Sequence, residues 1–307
     1  MSQLVAVGTV AFDAIETPFG KTDKILGGAA TYIGLAASHL NADVALVAII
    51  GDDFPQSFLD TMVSRGINLD GVDVIAGEKS FYWSGRYHHD MNSRDTLATE
   101  LNVLTQFNPK VPNNYKNADI LLLGNLNPEA QLAAIDQMNG PKFIVMDTMN
   151  YWMDNNNEEL QKVISKVDAI TINDEEARQL SGEYSLVKAA KVIQNLGPEF
   201  VVIKKGEHGA LLFHNEQVFF APALPLEDVF DPTGAGDSFA GGFAGYLAKT
   251  EDYSFDNLKS AIIYGTAMAS FCVEAFGTER LLSVSKSEIQ KRLRMIQSLI
   301  QFDIELE

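Results

Sequence analysis

Asp231-Pro232-Thr233-Gly234-Ala235-Gly236-Asp237-Ser238-Phe239-Ala240-Gly241-Gly242 is the run that decides how this chain reads. It sets small residues with exposed backbone N–H groups directly before a carboxylate, and an apolar, helix-length segment follows to about Lys249. Free amides at a helix start attract anions, and the helix dipole adds to the attraction. A carboxylate one residue further on can accept a proton from an attacking hydroxyl. The pattern therefore suits phosphoryl transfer. Gly241, Gly242 and Gly245 fall inside the expected helix, where each costs about 1 kcal/mol relative to alanine. Their return is close approach, to a neighbouring strand or to bound nucleotide. A tight strand-to-helix turn is the plainer reading of a bare Gly-x-Gly, and the length of this run argues against it.

Competing motifs fail. No Gly-x-x-x-x-Gly-Lys-Ser/Thr occurs, and Phe239 breaks the Gly-x-Gly-x-x-Gly dinucleotide fingerprint. Gly236-Asp237-Ser238-Phe239-Ala240 is a near miss to a hydrolase nucleophile elbow, which needs a later histidine. His39, His88, His89, His208 and His214 all precede Ser238. His88-His89-Asp90 has no partners at zinc spacing and reads as exposed.

Working outward, short and nearly all-apolar runs at Leu4–Gly8, Val44–Ile50, Ile120–Leu123, Phe143–Asp147, Ala169–Ile172 and Phe200–Ile203 predict strands buried on both faces. Helical patterns separate them at Ala29–His39, Phe54–Arg65, Pro128–Met138, Glu158–Ser165, Asp174–Leu180 and Leu186–Asn195. The alternation predicts a doubly wound α/β fold. The last third turns helical at Asp237–Lys249, Phe255–Ala275 and Lys286–Ile300. Phe12–Leu26 and Lys79–Leu101 break the rhythm. They are polar and aromatic, and predict a small β layer that covers a site, pairs with another subunit or merely decorates the fold.

The 307 residues suffice for one large domain with a small appendage. Lys and Arg total 23 against 41 Asp and Glu, a formal charge of −18, which disfavours nucleic acid or an anionic membrane as partner. The lone Cys272, the lack of a basic N-terminal region before Lys21 and the lack of a bilayer-length apolar run predict a soluble, cytoplasmic protein.

The run at 231–242 closely resembles the signature of the ribokinase-like (PfkB-type) carbohydrate and nucleoside kinases. Other landmarks agree in order: Asp13 after the first strand, Gly27-Gly28 opening the first helix, Asn173-Asp174-Glu175-Glu176 as Asn-x-x-Glu, and Lys204-Lys205-Gly206-Glu207-His208-Gly209 after the next long strand. The resemblance implies one domain over 1–307. Its fold would be a three-layer α/β/α sandwich with a mostly parallel central sheet and a small β lid from about 12–26 and 79–101. It implies Asp237 as general base and the Gly234, Ala235 and Gly236 amides as an anion hole. Asp13, Gly27 and Gly28 would meet substrate hydroxyls. Asn173, Lys204, Gly206 and Gly209 would lie on the ATP side. Glu176 would orient Mg2+ through water, and Asp231 would lie near a potassium ion, as in some relatives. Plainer roles stand beside these: a helix N-cap for Asp237, a cap with an acidic first turn for Asn173 and Glu176, a solvated strand end for Lys204 and a surface turn for Asp13.

Many sugar kinases of the family read Gly-Gly-x-x-x-Asn, and here the sixth residue is Tyr32, which loses an amide and gains an aromatic face. Arg94 would meet an anionic substrate group or the phosphoryl in transfer, or would stay a solvated charge. The expected activity is ATP- and magnesium-dependent phosphorylation of a hydroxyl on a small sugar or polyol. A nucleoside, with Phe12, Phe19, Tyr32, Phe81, Tyr82, Trp83 or Tyr87 stacking on its base, is the alternative, though the same aromatics would equally fill a lid or a dimer seam, and a non-catalytic ligand sensor is the rival from another class. A homodimer through the lid is implied by resemblance.

Overall fold

The computed structural model describes residues 2–303. In chain order its strands are β1 (Gln3–Val7), β2 (Ala11–Thr17), β3 (Gly20–Lys21), β4 (Ile25–Gly27), β5 (Asp43–Gly51), β6 (Ile67–Ile75), β7 (Tyr82–Tyr87), β8 (Arg94–Glu100), β9 (Ile120–Leu123), β10 (Phe143–Met146), β11 (Ala169–Asn173), β12 (Phe200–Lys204), β13 (Ala210–His214) and β14 (Gln217–Ala221). The apolar runs pair into a nine-stranded sheet of order β14-β13-β12-β11-β10-β9-β1-β5-β6. From β6 to β12 every pairing is parallel, and β13 and β14 close one edge antiparallel.

Side chains alternate across a strand, so each apolar run feeds both faces. Leu4, Leu46, Leu122, Val145 and Val202 point to the layer holding the helices Ala29–Ser38, Ala235–Thr250 and Phe255–Cys272. Val5, Val47, Leu121, Met146, Ile170 and Ile203 point to the opposite layer, with Pro128–Ile135, Asn157–Ile164, Asp174–Ser181 and Leu186–Gln194. The result is the three-layer sandwich expected from the sequence. β6, β13 and β14 were not anticipated. β6, at a sheet edge, fully buries only Ile67 and Gly71 and exposes Asp70 and Val74, and β14 leaves Val218 and Phe220 about half exposed, so neither carries the all-apolar signal of a central strand. The helix expected from Phe54 begins at Gln56, after Pro55 in extended conformation.

The segments around 12–26 and 79–101 form a second, five-stranded sheet: β3-β2-β7-β8, with β4 pairing to the same edge of β2 as β3, opposite β7. β2 and β7 run parallel; β8 pairs antiparallel with β7.

The helix glycines serve close approach, and the neighbour is another helix rather than a strand or nucleotide. A Cβ at Gly241 would lie 2.4 Å from the Ile33 carbonyl oxygen. Gly241→Ala, which improves helix propensity, is therefore expected to destabilise by about 1–3 kcal/mol through overpacking. Urea denaturation reads this directly, and an unchanged or raised midpoint would contradict the backbone contact.

Candidate active site

Because seven neighbouring strands run parallel, their carboxyl ends share one edge, where α/β sheets place ligands. Asp147 follows β10, Asn173 ends β11 and Lys204 ends β12. Lys204 Nζ lies 2.7 Å from Asp147 Oδ2 in a largely buried ion pair. The same Nζ is 3.1 Å from where a Cβ on Gly236 would stand, so the lysine sits against the start of the helix Ala235–Thr250. Burial and the negative site oppose one another at Lys204: burial lowers its pKa, while Asp147, Glu176 and Asp237 raise it above the usual range, leaving it charged.

Gly234 caps that helix in the left-handed conformation (φ 74°) with no side-chain cap. Asp237 is therefore its third residue rather than its N-cap. The expected trio of free amides is reduced, since Ala235 N–H donates to the Pro232 carbonyl at 3.2 Å. Among the described residues the Gly234 and Gly236 amides find no acceptor. Asp237 is half-buried. Burial pushes its carboxyl up to about 6, the charge of Asp147 adds to this, and Lys204 and Arg94 pull the other way.

Asn173 and Glu176 form a reciprocal capping box: Glu176 N–H donates to Asn173 Oδ1 and Asn173 N–H to Glu176 Oε2, both at 2.8 Å. Glu176 is 7% exposed, and burial next to Asp147 raises its pKa. The helix-cap reading is thus realised, with Oε1 left over. Among the described residues no group of three or more His, Cys, Asp or Glu side chains is disposed to hold a metal. Magnesium takes one or two carboxylates and keeps its waters, and the free Oε1 of Glu176 with Asp147 nearby is a donor set of that kind.

Asp13 is 4% exposed, not a surface turn. A Cβ on Gly27 would fall 2.0 Å from its Oδ2, so only glycine leaves room for the carboxylate there. Burial pushes Asp13 up to about 7; the Gly28 amide opposes the shift, and the charges of Asp231 and Asp237 add to it. Asp13 and Asp237 therefore share one electrostatic environment. Tyr32 departs from expectation. It is 1% exposed, and a Cβ on Gly234 would lie 2.4 Å from its ring, so it supports the glycine turn from below and offers no open aromatic face. Asp231 accepts from the Thr233 and Gly277 amides, each at 2.8 Å, one on each oxygen. This geometry makes it a main-chain clamp and lends no support to a potassium role.

The second sheet reaches across this edge. Thr233 Oγ1 donates to the Tyr87 hydroxyl at 3.2 Å. In the turn after β7, Asn92 Oδ1 is 2.9 Å from where a Cβ on Gly206 would stand. Arg94 is exposed, yet its charge is felt at Tyr87, Glu176 and Asp237. Gly206 (φ 54°) and Gly209 (φ 82°) shape the turn from β12 to β13, and Gly209 packs against the Ala221 carbonyl, on the strand side of that turn. Asp147 was missed by sequence reasoning. Its signal was an acid closing an otherwise apolar strand, at a position where strand ends meet ligands.

Comparison with known proteins agrees with this architecture. The pfkB family carbohydrate kinase profile matches residues 1–284. The chain is 32% identical over 252 residues to a cytidine kinase of Thermococcus kodakarensis, covering 80% of this chain and 89% of that protein. The nucleoside kinase structure of Methanocaldococcus jannaschii superposes with a TM-score of 0.78 at 22% identity, covering 96% of this chain and 98% of that one. A ribokinase II from E. coli, in complex with ATP and Mg2+, gives 0.79 at 17% identity, covering 97% and 100%. These structures share the fold.

Proposed function

The chain belongs to the pfkB family of carbohydrate kinases, and from that premise we propose that it transfers the γ-phosphoryl group of ATP to a hydroxyl of a ribonucleoside. The sequence alone put a sugar or polyol first. The similarity to a cytidine kinase over most of the chain supports the nucleoside instead. The observation that carries the reading is the shared environment of Asp13 and Asp237 beside the unpaired amides of Gly234 and Gly236.

In this reading Asp13 accepts hydrogen bonds from two ribose hydroxyls, as a buried carboxylate can. That orients the acceptor hydroxyl toward Asp237, which takes its proton as the phosphorus–oxygen bond forms. The Gly234 and Gly236 amides and Lys204 hold the phosphoryl oxygens. Asp147 keeps Lys204 in place. Glu176 and Asp147 would hold magnesium, which when bound neutralises charge on the phosphates. The second sheet acts as a lid that excludes water and brings Arg94 toward the phosphates. No described helix is long and apolar enough to cross a membrane.

ATP consumption measured side by side with cytidine, adenosine, inosine, ribose, fructose and myo-inositol tests this. The highest kcat/KM is expected with a nucleoside. A sugar or polyol phosphorylated while nucleosides stay inert would return the reading to sugar kinase. Ligand and nucleotide binding without product would favour a sensor.

The pH dependence has a defined sign. Asp237 must be ionised to accept a proton, and its carboxyl is held up to about 6; Asp13, held up to about 7, binds best as the anion. kcat/KM is therefore expected to rise with pH through that interval and then level off. Asp147→Asn removes a neighbouring negative charge and should move the lower limb to lower pH, whereas Lys204→Met should move it higher. A flat profile over the interval would remove the carboxylates from the rate-determining chemistry.

A further inference from the structure

Trp83 stands out on the face of the small sheet that carries Asp13. In the parallel pairing of β2 with β7 it is the direct partner of Asp13, so both side chains project from the same face, with backbones about 4.8 Å apart. Its neighbour Tyr82 points the other way and packs on the core beside Phe12. Trp83 is half-buried and joins no apolar cluster among the described residues. Two residues on, Gly85 interrupts a strand where glycine weakens pairing. A Cβ there would lie 2.2 Å from Trp83 Cη2 and 2.4 Å from Cζ2. The indole therefore lies along the strand, over the gap the glycine leaves. Beyond it on the same face, Tyr87 borders a cavity of about 300 Å3 shared with Thr17 and His88.

We infer that the Trp83 indole is the platform on which the acceptor's base stacks, and that Gly85 is the gap that lets the ring lie flat. The inference rests on the nucleoside reading for the identity of the stacked ring. Asp13 holds the ribose, and the adjacent strand presents an aromatic surface one sheet spacing away, which is where a base attached to that ribose projects. Stacking of this kind is tolerant of base identity, because every base has a π-face. Trp83 would thus select ribonucleosides over free sugars without choosing strongly among bases.

Steady-state kinetics of Trp83→Ala, Trp83→Phe and Gly85→Ala, with cytidine and with ribose as probes, test this. Trp83→Ala is expected to raise KM for cytidine by about tenfold or more, with a much smaller effect on KM for ATP and for ribose. Trp83→Phe should recover most of the loss. Gly85→Ala should tilt the indole and raise the cytidine KM with little change in kcat. Cytidine should also quench the fluorescence of the wild-type protein but not that of Trp83→Phe, where Trp152 is the remaining indole. That binding readout on the wild-type chain does not depend on how well the alanine variant folds. If the wild type phosphorylates cytidine while Trp83→Ala keeps its KM and cytidine causes no quench, the platform is wrong and the nucleoside reading stands. If the wild type phosphorylates ribose and leaves nucleosides untouched, both fall together.

Discussion

Asp237→Asn is expected to lower kcat by about a thousandfold while leaving ATP affinity intact or slightly improved, since positioned proton transfer contributes on the order of 10²–10⁴. Asparagine matches the size of aspartate at the third position of the helix Ala235–Thr250, so the glycine turn ahead of it should hold its shape. What disappears is the only property the reaction needs there, a basic oxygen at the acceptor hydroxyl. Removing a charge that Asp147 repels and Lys204 attracts also makes the site less negative, which favours bound phosphates. Asp13 does not take over: it lies over Gly27 and accepts from the Gly28 amide, committed to holding the ligand. Acceptor turnover with parallel calorimetric titration of ATP separates the two effects. Near-normal turnover would take Asp237 out of the mechanism.

Gly234→Ala is expected to damage both stability and catalysis. The residue has φ 74° and ψ 2°, a conformation that costs an L-residue about 1–2 kcal/mol. Its new Cβ would also meet the Tyr32 ring, with ring atoms at 2.4–2.5 Å, and that ring is too deeply buried to swing away. Overpacking adds about 1–3 kcal/mol. Relief comes only by lifting the turn, which moves the Gly234 and Gly236 amides off the phosphoryl group. Loss of one such donor lowers kcat by about 10²–10³. Denaturant melts and steady-state kinetics should therefore fall together in this variant, in contrast to Asp237→Asn, which should melt close to wild type. A Gly234→Ala protein with wild-type midpoint and turnover would show that the turn does not depend on this contact.

Much of the fold was legible because its signals are local. A strand covered on both faces must be apolar at nearly every position, so the runs ending at Val7, Leu123, Met146 and Ile203 declared themselves. The helices between them carried their own period. Edge strands did not: β6 and β14 are covered on part of their surface only, and their mixed composition looks like that of a loop. The motif at 231–242 marked the helix start, but not that Ala235 N–H would turn back to Pro232, nor that Asp231 would be held by amides of the turn and of Gly277.

The sequence by itself determined the layered α/β architecture and the family, because strand burial, helix period and a dense glycine-acid run are written in neighbouring residues. Only the tertiary structure decided which distant groups meet. Asp147 reaches Lys204 across 57 positions, Tyr32 lies beneath Gly234, and Trp83 stands beside Asp13, with Gly85 leaving room for its ring. Those meetings depend on strand order and register, which arise from packing the whole sheet, and no local pattern specifies them.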